Sequence, residues 1–206
     1  MKKALINILI YILFPSIIPL FFTNNINSKE YIIYLFISYI FVAIYFTIIY
    51  KEELLNNIKK LNKKNILTTL IYFIIGFLLM MLSNYIINYI IIPNGISNNE
   101  QSNRDLLLNN KLLYGLLLSL IIPYIEEIVF RLNIKKSIKN NTIFIILSST
   151  IFSLLHIISS TKLIELLYFI PYFILGLTFK LSLYLLIFFL IVSSLILNLL
   201  LSNGLQ

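Results

Sequence analysis

Long apolar stretches separated by short polar gaps run through the chain. Their spacing predicts seven membrane-spanning helices: Ala4 to Phe22, Tyr31 to Tyr50, Ile66 to Ile92, Leu112 to Phe130, Thr142 to Ser159, Leu163 to Phe179 and Leu181 to Leu201. Each is near the roughly 20 residues that a bilayer requires. The runs are continuous rather than alternating, and in lipid only helices and closed barrels satisfy the backbone, so the expected fold class is all-α, a polytopic transmembrane helical bundle. Only Lys180 and Ser182 part the last two stretches, which leaves either a tight turn or a break within one longer tilted segment. The expected organisation is one integral membrane domain over residues 1–206, with the first three spans in 1–111 and the polar motifs in 112–201. The lysine run from Lys51 to Lys64 and the Asn-rich stretch from Pro93 to Asn110 read as loops on opposite sides of the membrane.

Composition agrees with this pattern. Of 206 residues 60% are hydrophobic, and the mean hydropathy is +0.96, which leaves no room for a separate extramembrane domain. The chain has no cysteine, so disulfides, thiolate nucleophiles and thiolate–metal sites are excluded. Lys2 and Lys3 before an apolar run resemble the start of a signal peptide, but no small-x-small cleavage site follows, and Pro15 and Pro19 suit a kinked first span.

Basic residues alternate in a way that sets orientation. Lys2 and Lys3, the five lysines from Lys51 to Lys64, Arg131 with Lys135, Lys136 and Lys139, and Lys180 fall on one side; Lys29, Arg104, Lys111 and Lys162 fall on the other. The positive-inside rule puts the first group, and the amino terminus, in the cytoplasm. The net charge of +8 follows from this bias and from attraction to anionic membrane lipids, so no nucleic-acid partner is required. Heavy use of Ile, Asn and Lys points to an AT-rich, bacterial source, hence to a multi-pass protein of a bacterial cell membrane.

Against this apolar background the ionisable residues of the fourth span stand out. Pro123-Tyr124-Ile125-Glu126-Glu127-Ile128-Val129-Phe130-Arg131 holds two carboxylates and a guanidinium, each costing about 2.5–3.5 kcal/mol near a bilayer centre. Adjacent residues on a helix diverge by about 100°, so the two glutamates face different surfaces. Glu127 pairs with Arg131 four residues on, and Glu126 is left to serve as a general base or acid, or as a spare proton-sharing group in a structural ion pair. The only histidine, His156, continues a stripe of Ser149, Ser153, His156 and Ser160 on the next span. Glu126 and His156 flank a hairpin at Asn140 and Asn141 almost symmetrically, which predicts the same depth for both and a water held and activated between them, with or without a metal ion. Ser194, Asn198 and Ser202 share one face of the last span, either as interhelical glue or as donors to an oxyanion.

Glu-Glu-x-x-x-Arg, then Phe152-x-x-x-His156 one helix later, then Ser194-x-x-x-Asn198 in a late span resembles the CAAX protease and bacteriocin-processing family of intramembrane endopeptidases, also called Abi proteins. The resemblance covers about Leu112 to Leu201, and Pro123 and the Gly176-Leu177 pair suit it. It implies an endopeptidase acting on a peptide or membrane-protein substrate, with water activation by Glu126 and His156, orientation by Glu127 and Arg131, and oxyanion contact by Asn198. The departure is Ser194, where the family has histidine; losing one oxyanion donor costs about 100- to 1,000-fold in rate. No cofactor is firmly implied. Family members are often labelled metalloproteases, but a catalytic zinc takes three protein ligands, and here only His156 with Glu126 or Glu127 offers itself, so the reading is a metal-independent water with zinc on Glu126 and His156 as the minor alternative. Two other readings stand beside the enzyme. One is a catalytically impaired relative giving bacteriocin immunity or binding a membrane partner. The other is a proton-coupled transporter, which lacks a broken-helix or repeat signature.

Overall fold

Serine and asparagine side chains set where the helices begin. Ser28, Asn62, Ser97 and Asn110 each accept a hydrogen bond from the backbone N–H three residues on, and Asn140 accepts two, from Thr142 and Ile143. Each such cap satisfies donors that the first turn leaves open and contributes about 0.5–2 kcal/mol. The computed structural model describes residues 2–178 apart from 24, 26, 27, 60, 61 and 94. The last predicted span, with Ser194, Asn198 and Ser202, lies outside the described residues, as does Lys180.

The described chain is a bundle of helices with no strand among the described residues. Helix α1 (Lys2–Ile17) tightens into a 3-10 turn (Ile18–Phe21) at its two prolines, and α2 (Lys29–Ile49) returns beside it. A short helix, α3 (Lys51–Lys59), precedes the long α4 (Lys63–Ile86), which ends in a π turn (Ile87–Ile91). After α5 (Asn98–Asn109) a continuous helix runs over Lys111–Ser137. It is built of α6 (Lys111–Leu116), a π turn (Leu117–Ile121), α7 (Ile122–Glu127), a second π turn (Ile128–Asn133) and α8 (Ile134–Ser137). Helix α9 (Asn141–Ile157) returns from that hairpin, and a 3-10 stretch (Leu163–Tyr168) leads into α10 (Phe169–Thr178).

Four of these, Lys2–Phe21, Lys29–Ile49, Lys63–Ile91 and Lys111–Ser137, are long and apolar enough to cross a membrane, and Asn141–Ile157 and Leu163–Leu177 are shorter apolar helices. The chain is a membrane protein of the all-α bundle class. Large apolar side chains such as Phe21, Ile48, Leu78 and Tyr89 are exposed, as lipid-facing positions are. The main core joins Val42, Phe46 and Tyr50 to Ile125, Ile128, Val129 and Phe130, with Phe144 and Phe152 from α9 closing it.

Several local expectations change. The two polar stretches expected as loops form helices. In α3, Glu52 and Glu53 begin the helix and Lys59 ends it, each sign opposing the helix dipole, and Leu54 is buried. In α5, Ser97 caps the start, Glu100 pairs with Arg104, Gln101 donates to Asp105, and Leu106 and Leu107 pack on the core around Leu117. The fourth span continues past Phe130 to Ser137, with Arg131 and Asn133 buried against other helices and Lys135 and Lys136 exposed at its end. The sixth begins as a 3-10 turn rather than an α-helix. Helix α9 ends at Ile157, so Ser160 falls beyond the helix that was to carry it.

A candidate site of Glu126, His156 and Tyr11

Pro123 has no N–H to donate and its ring crowds the preceding turn, and the helix widens into a π turn just before it. The four residues that follow place Glu126 and Glu127 on separate faces. Glu127 Oε2 lies 3.9 Å from the Arg131 Nε, with both side chains almost wholly buried. Arg131 reaches further than an ion pair requires. It donates to the Ser148 hydroxyl at 2.7 Å on α9 and to the Gly176 carbonyl on α10, so one guanidinium ties three helices together. Gly176 is what lets α10 come so close. A Cβ there would stand 2.9 Å from the Cα and Cβ of Ser149.

Glu126 points the other way. Its Oε1 accepts a 2.8 Å hydrogen bond from the Tyr11 hydroxyl on α1 and lies 3.8 Å from His156 Nε2 on α9. The side chains of Glu126 and His156 are 16% and 19% exposed, enough to meet a ligand and too little to be bathed in solvent. His156 is fixed by its own helix: Nδ1 donates to the Phe152 carbonyl at 2.8 Å, since a carbonyl only accepts. In the neutral ring that leaves Nε2 as the acceptor, turned to Glu126. The imidazole also contacts the rings of Phe152 and Tyr172, at centroid distances of 4.3 and 4.5 Å. Phe152 four residues before the histidine therefore supplies both a carbonyl partner and a ring face.

The 3.8 Å gap is too long for a direct hydrogen bond and short enough for one water beside the pair to touch both atoms. The pair opens into a cavity of about 400 Å³, whose polar lining includes Tyr11, Ser16, Tyr39, Asn99, Asn103 and Tyr114. Among the described residues no three His, Asp or Glu side chains cluster as a metal site, so the donors present do not fit a three-ligand zinc. Ser149 and Ser153 turn inward as the stripe implied, yet their hydroxyls bond back to the carbonyls of Ile145 and Ser149. Neither lines the cavity.

Tyr11, Tyr39, Asn99 and Asn103 carry no motif and were missed by sequence reasoning. Tyrosine is abundant in this chain, with 14 residues, and the partner of Tyr11 is 115 positions away. A partly buried glutamate and histidine thus converge on a cavity inside a helical bundle. Residues 108–200, just under half of the chain, match the family model described as type II CAAX prenyl endopeptidase, Rce1-like. No curated protein and no solved structure matches the chain. The matched segment holds Glu126, Glu127, Arg131 and His156, while Tyr11, Tyr39, Asn99 and Asn103 precede it.

Proposed function

We infer that the protein is a membrane endopeptidase that hydrolyses a peptide bond with a water activated by Glu126 and His156. The observation that carries this reading is the 3.8 Å approach of His156 Nε2 to Glu126 Oε1, with the other ring nitrogen already committed to Phe152. Glu126 takes a proton from the water as its oxygen bonds to the scissile carbonyl carbon, and returns that proton to the amine as the C–N bond breaks. His156 Nε2 orients the water through its second proton. Tyr11 holds the carboxylate in place, and the Glu127–Arg131 pair fixes α7 against α9 and α10. Asn198, outside the described residues, would supply a donor to the tetrahedral oxyanion, with Ser194 beside it. The substrate is a peptide or membrane-protein segment within reach of the bilayer. Residues 112–201 form the catalytic core in this reading, with 1–111 completing the cavity wall.

The test is processing of co-expressed membrane peptides by the wild-type protein and by Glu126→Gln at matched membrane levels, read by mass spectrometry. A product made by wild type and absent with the variant supports the enzyme. Ser194 in the place of a family histidine favours a second reading, an impaired relative that confers immunity to a peptide toxin or binds a membrane partner. That reading requires Glu126→Gln to retain protection while neither protein cuts any peptide.

A further inference from the structure

The two ends of the bundle differ in charge, and the cavity reaches only one of them. Asn133 donates to the Ala4 carbonyl, and Lys136 pairs with Glu53, so the start of α1, the α2–α3–α4 corner and the α8–α9 hairpin share an end. That end carries Lys2, Lys3, Lys51, Lys59, Lys63, Lys64, Lys135, Lys136 and Lys139 against Glu52 and Glu53. At the opposite end Asn98 donates to the Ser159 carbonyl and Tyr114 to Asn103, gathering α5, the start of α6 and the segment after α9. There Lys29, Arg104, Lys111 and Lys162 are balanced by Glu30, Glu100, Asp105 and Glu165.

From Glu126 the cavity wall climbs the 111–137 helix through Ile122 and Leu118 to Tyr114, and reaches Asn99 and Asn103 on α5. It ends at Ser16 on α1 and Ile158 after α9, both exposed. Among the described residues, none that lines the cavity lies between Glu126 and the lysine-rich end. Lysine and arginine are retained on the cytoplasmic side of short loops, so the neutral end is the outer one.

Building on the endopeptidase reading, we propose that the site opens to the extracytoplasmic face, so that its substrate is a non-acidic peptide segment presented from outside the cytoplasmic membrane. The lining argues for the charge class. Among the described residues Glu126 is its only ionised candidate besides His156, and the remaining polar groups are phenols, amides and a hydroxyl. An acidic segment would meet the Glu126 carboxylate in a low-dielectric cleft with no cation on the wall to offset it.

The chain has no cysteine of its own, so single cysteines report location directly. Ser16→Cys at the cavity mouth, Gln101→Cys on the exposed side of α5 and Lys59→Cys at the lysine-rich end are each expressed in the otherwise unaltered chain. Intact cells are treated with a membrane-impermeant maleimide, with and without permeabilisation. Ser16→Cys and Gln101→Cys are expected to label fully in intact cells, and Lys59→Cys only after permeabilisation. The reverse pattern overturns the orientation. Labelling of Gln101→Cys without Ser16→Cys in intact cells overturns the access route. The readout needs no turnover, so a chain that labels as expected and cuts nothing would refute the endopeptidase while leaving the location of the cavity standing.

Discussion

Replacing Gly176 tests the seam between α9 and α10, because its two consequences have opposite signs. In an unobstructed helix interior, alanine is favoured over glycine by about 0.8–1.0 kcal/mol. At Gly176 the added Cβ would stand 2.9 Å from Ser149 Cα, 2.9 Å from its Cβ and 3.2 Å from its Oγ. A backbone atom cannot swing aside, so the helices must part, and overpacking of this kind costs about 1–3 kcal/mol. Parting also carries the Gly176 carbonyl away from Arg131, and interhelical hydrogen bonds in membranes average about 0.6 kcal/mol. Gly176→Val adds two methyl groups beyond the Cβ and regains only a few tenths of a kcal/mol in propensity, so its net loss should reach about 1–3 kcal/mol, with Gly176→Ala losing less. Equilibrium unfolding in mixed micelles measures both. Adding Ser149→Gly to the Gly176→Val chain removes the opposing Cβ and Oγ but leaves the backbone of residue 149 in the way, and should recover part of the loss. A Gly176→Val protein as stable as wild type, or a Gly176→Ala protein stabilised by the full propensity gain, would refute the close crossing.

Three further outcomes follow from the same geometry. Arg131→Met removes the cation beside the buried Glu127 carboxylate and should cost about 3–5 kcal/mol in the same unfolding assay, with Glu127→Gln in the same chain recovering part of it; equal stability of the single and double variants would contradict the pairing. Tyr11→Phe should lower stability by only about 0.6 kcal/mol, yet reduce kcat on a cleaved peptide by about 10- to 100-fold with KM unchanged, the loss of one hydrogen bond to a charged group; an unchanged kcat would remove Tyr11 from the site. The Lys136 ammonium beside Glu53 holds its carboxyl below the usual range, so the stabilisation of this half-exposed pair is fully present above the unfolded value of about 4.3 and is lost as pH falls through the folded one. Glu53→Gln should therefore flatten the acid limb of unfolding free energy against pH by at most about 1 kcal/mol, and an identical acid limb would argue against the contact.

Spacing along one helix, or across one short hairpin, was legible because helical geometry converts sequence distance directly into direction and depth. Glu127 and Arg131 are four apart and meet; Glu126 and His156 are almost equidistant from Asn140 and Asn141 and meet as well. What stayed hidden depended on which helices touch. Tyr11 reads like any other lipid-compatible aromatic until α1 packs on the second π turn. Ser148 lies off the polar stripe, yet it is the serine that Arg131 finds. Gly176 was noticed only for its resemblance, and its role depends on a backbone crossing that no periodicity encodes. The polar helices α3 and α5 were read as loops because an apolar stripe is the main helical signal, and both rely instead on caps, charge pairs and a few buried leucines.

The hydrogen bond from Tyr11 to Glu126 also sets a timetable for biosynthesis. The two residues are 115 positions apart, and chains grow at about 5–20 residues per second, so the first helix waits about 6–23 s in the membrane before its glutamate is made. During that interval α2 is its neighbour, and the phenol that will hold Glu126 has nothing to hold. A ribosome that slows between α2 and α6 lengthens the exposure of that face to other membrane helices. Factors that shield newly inserted helices should therefore matter more to this chain than its small size suggests.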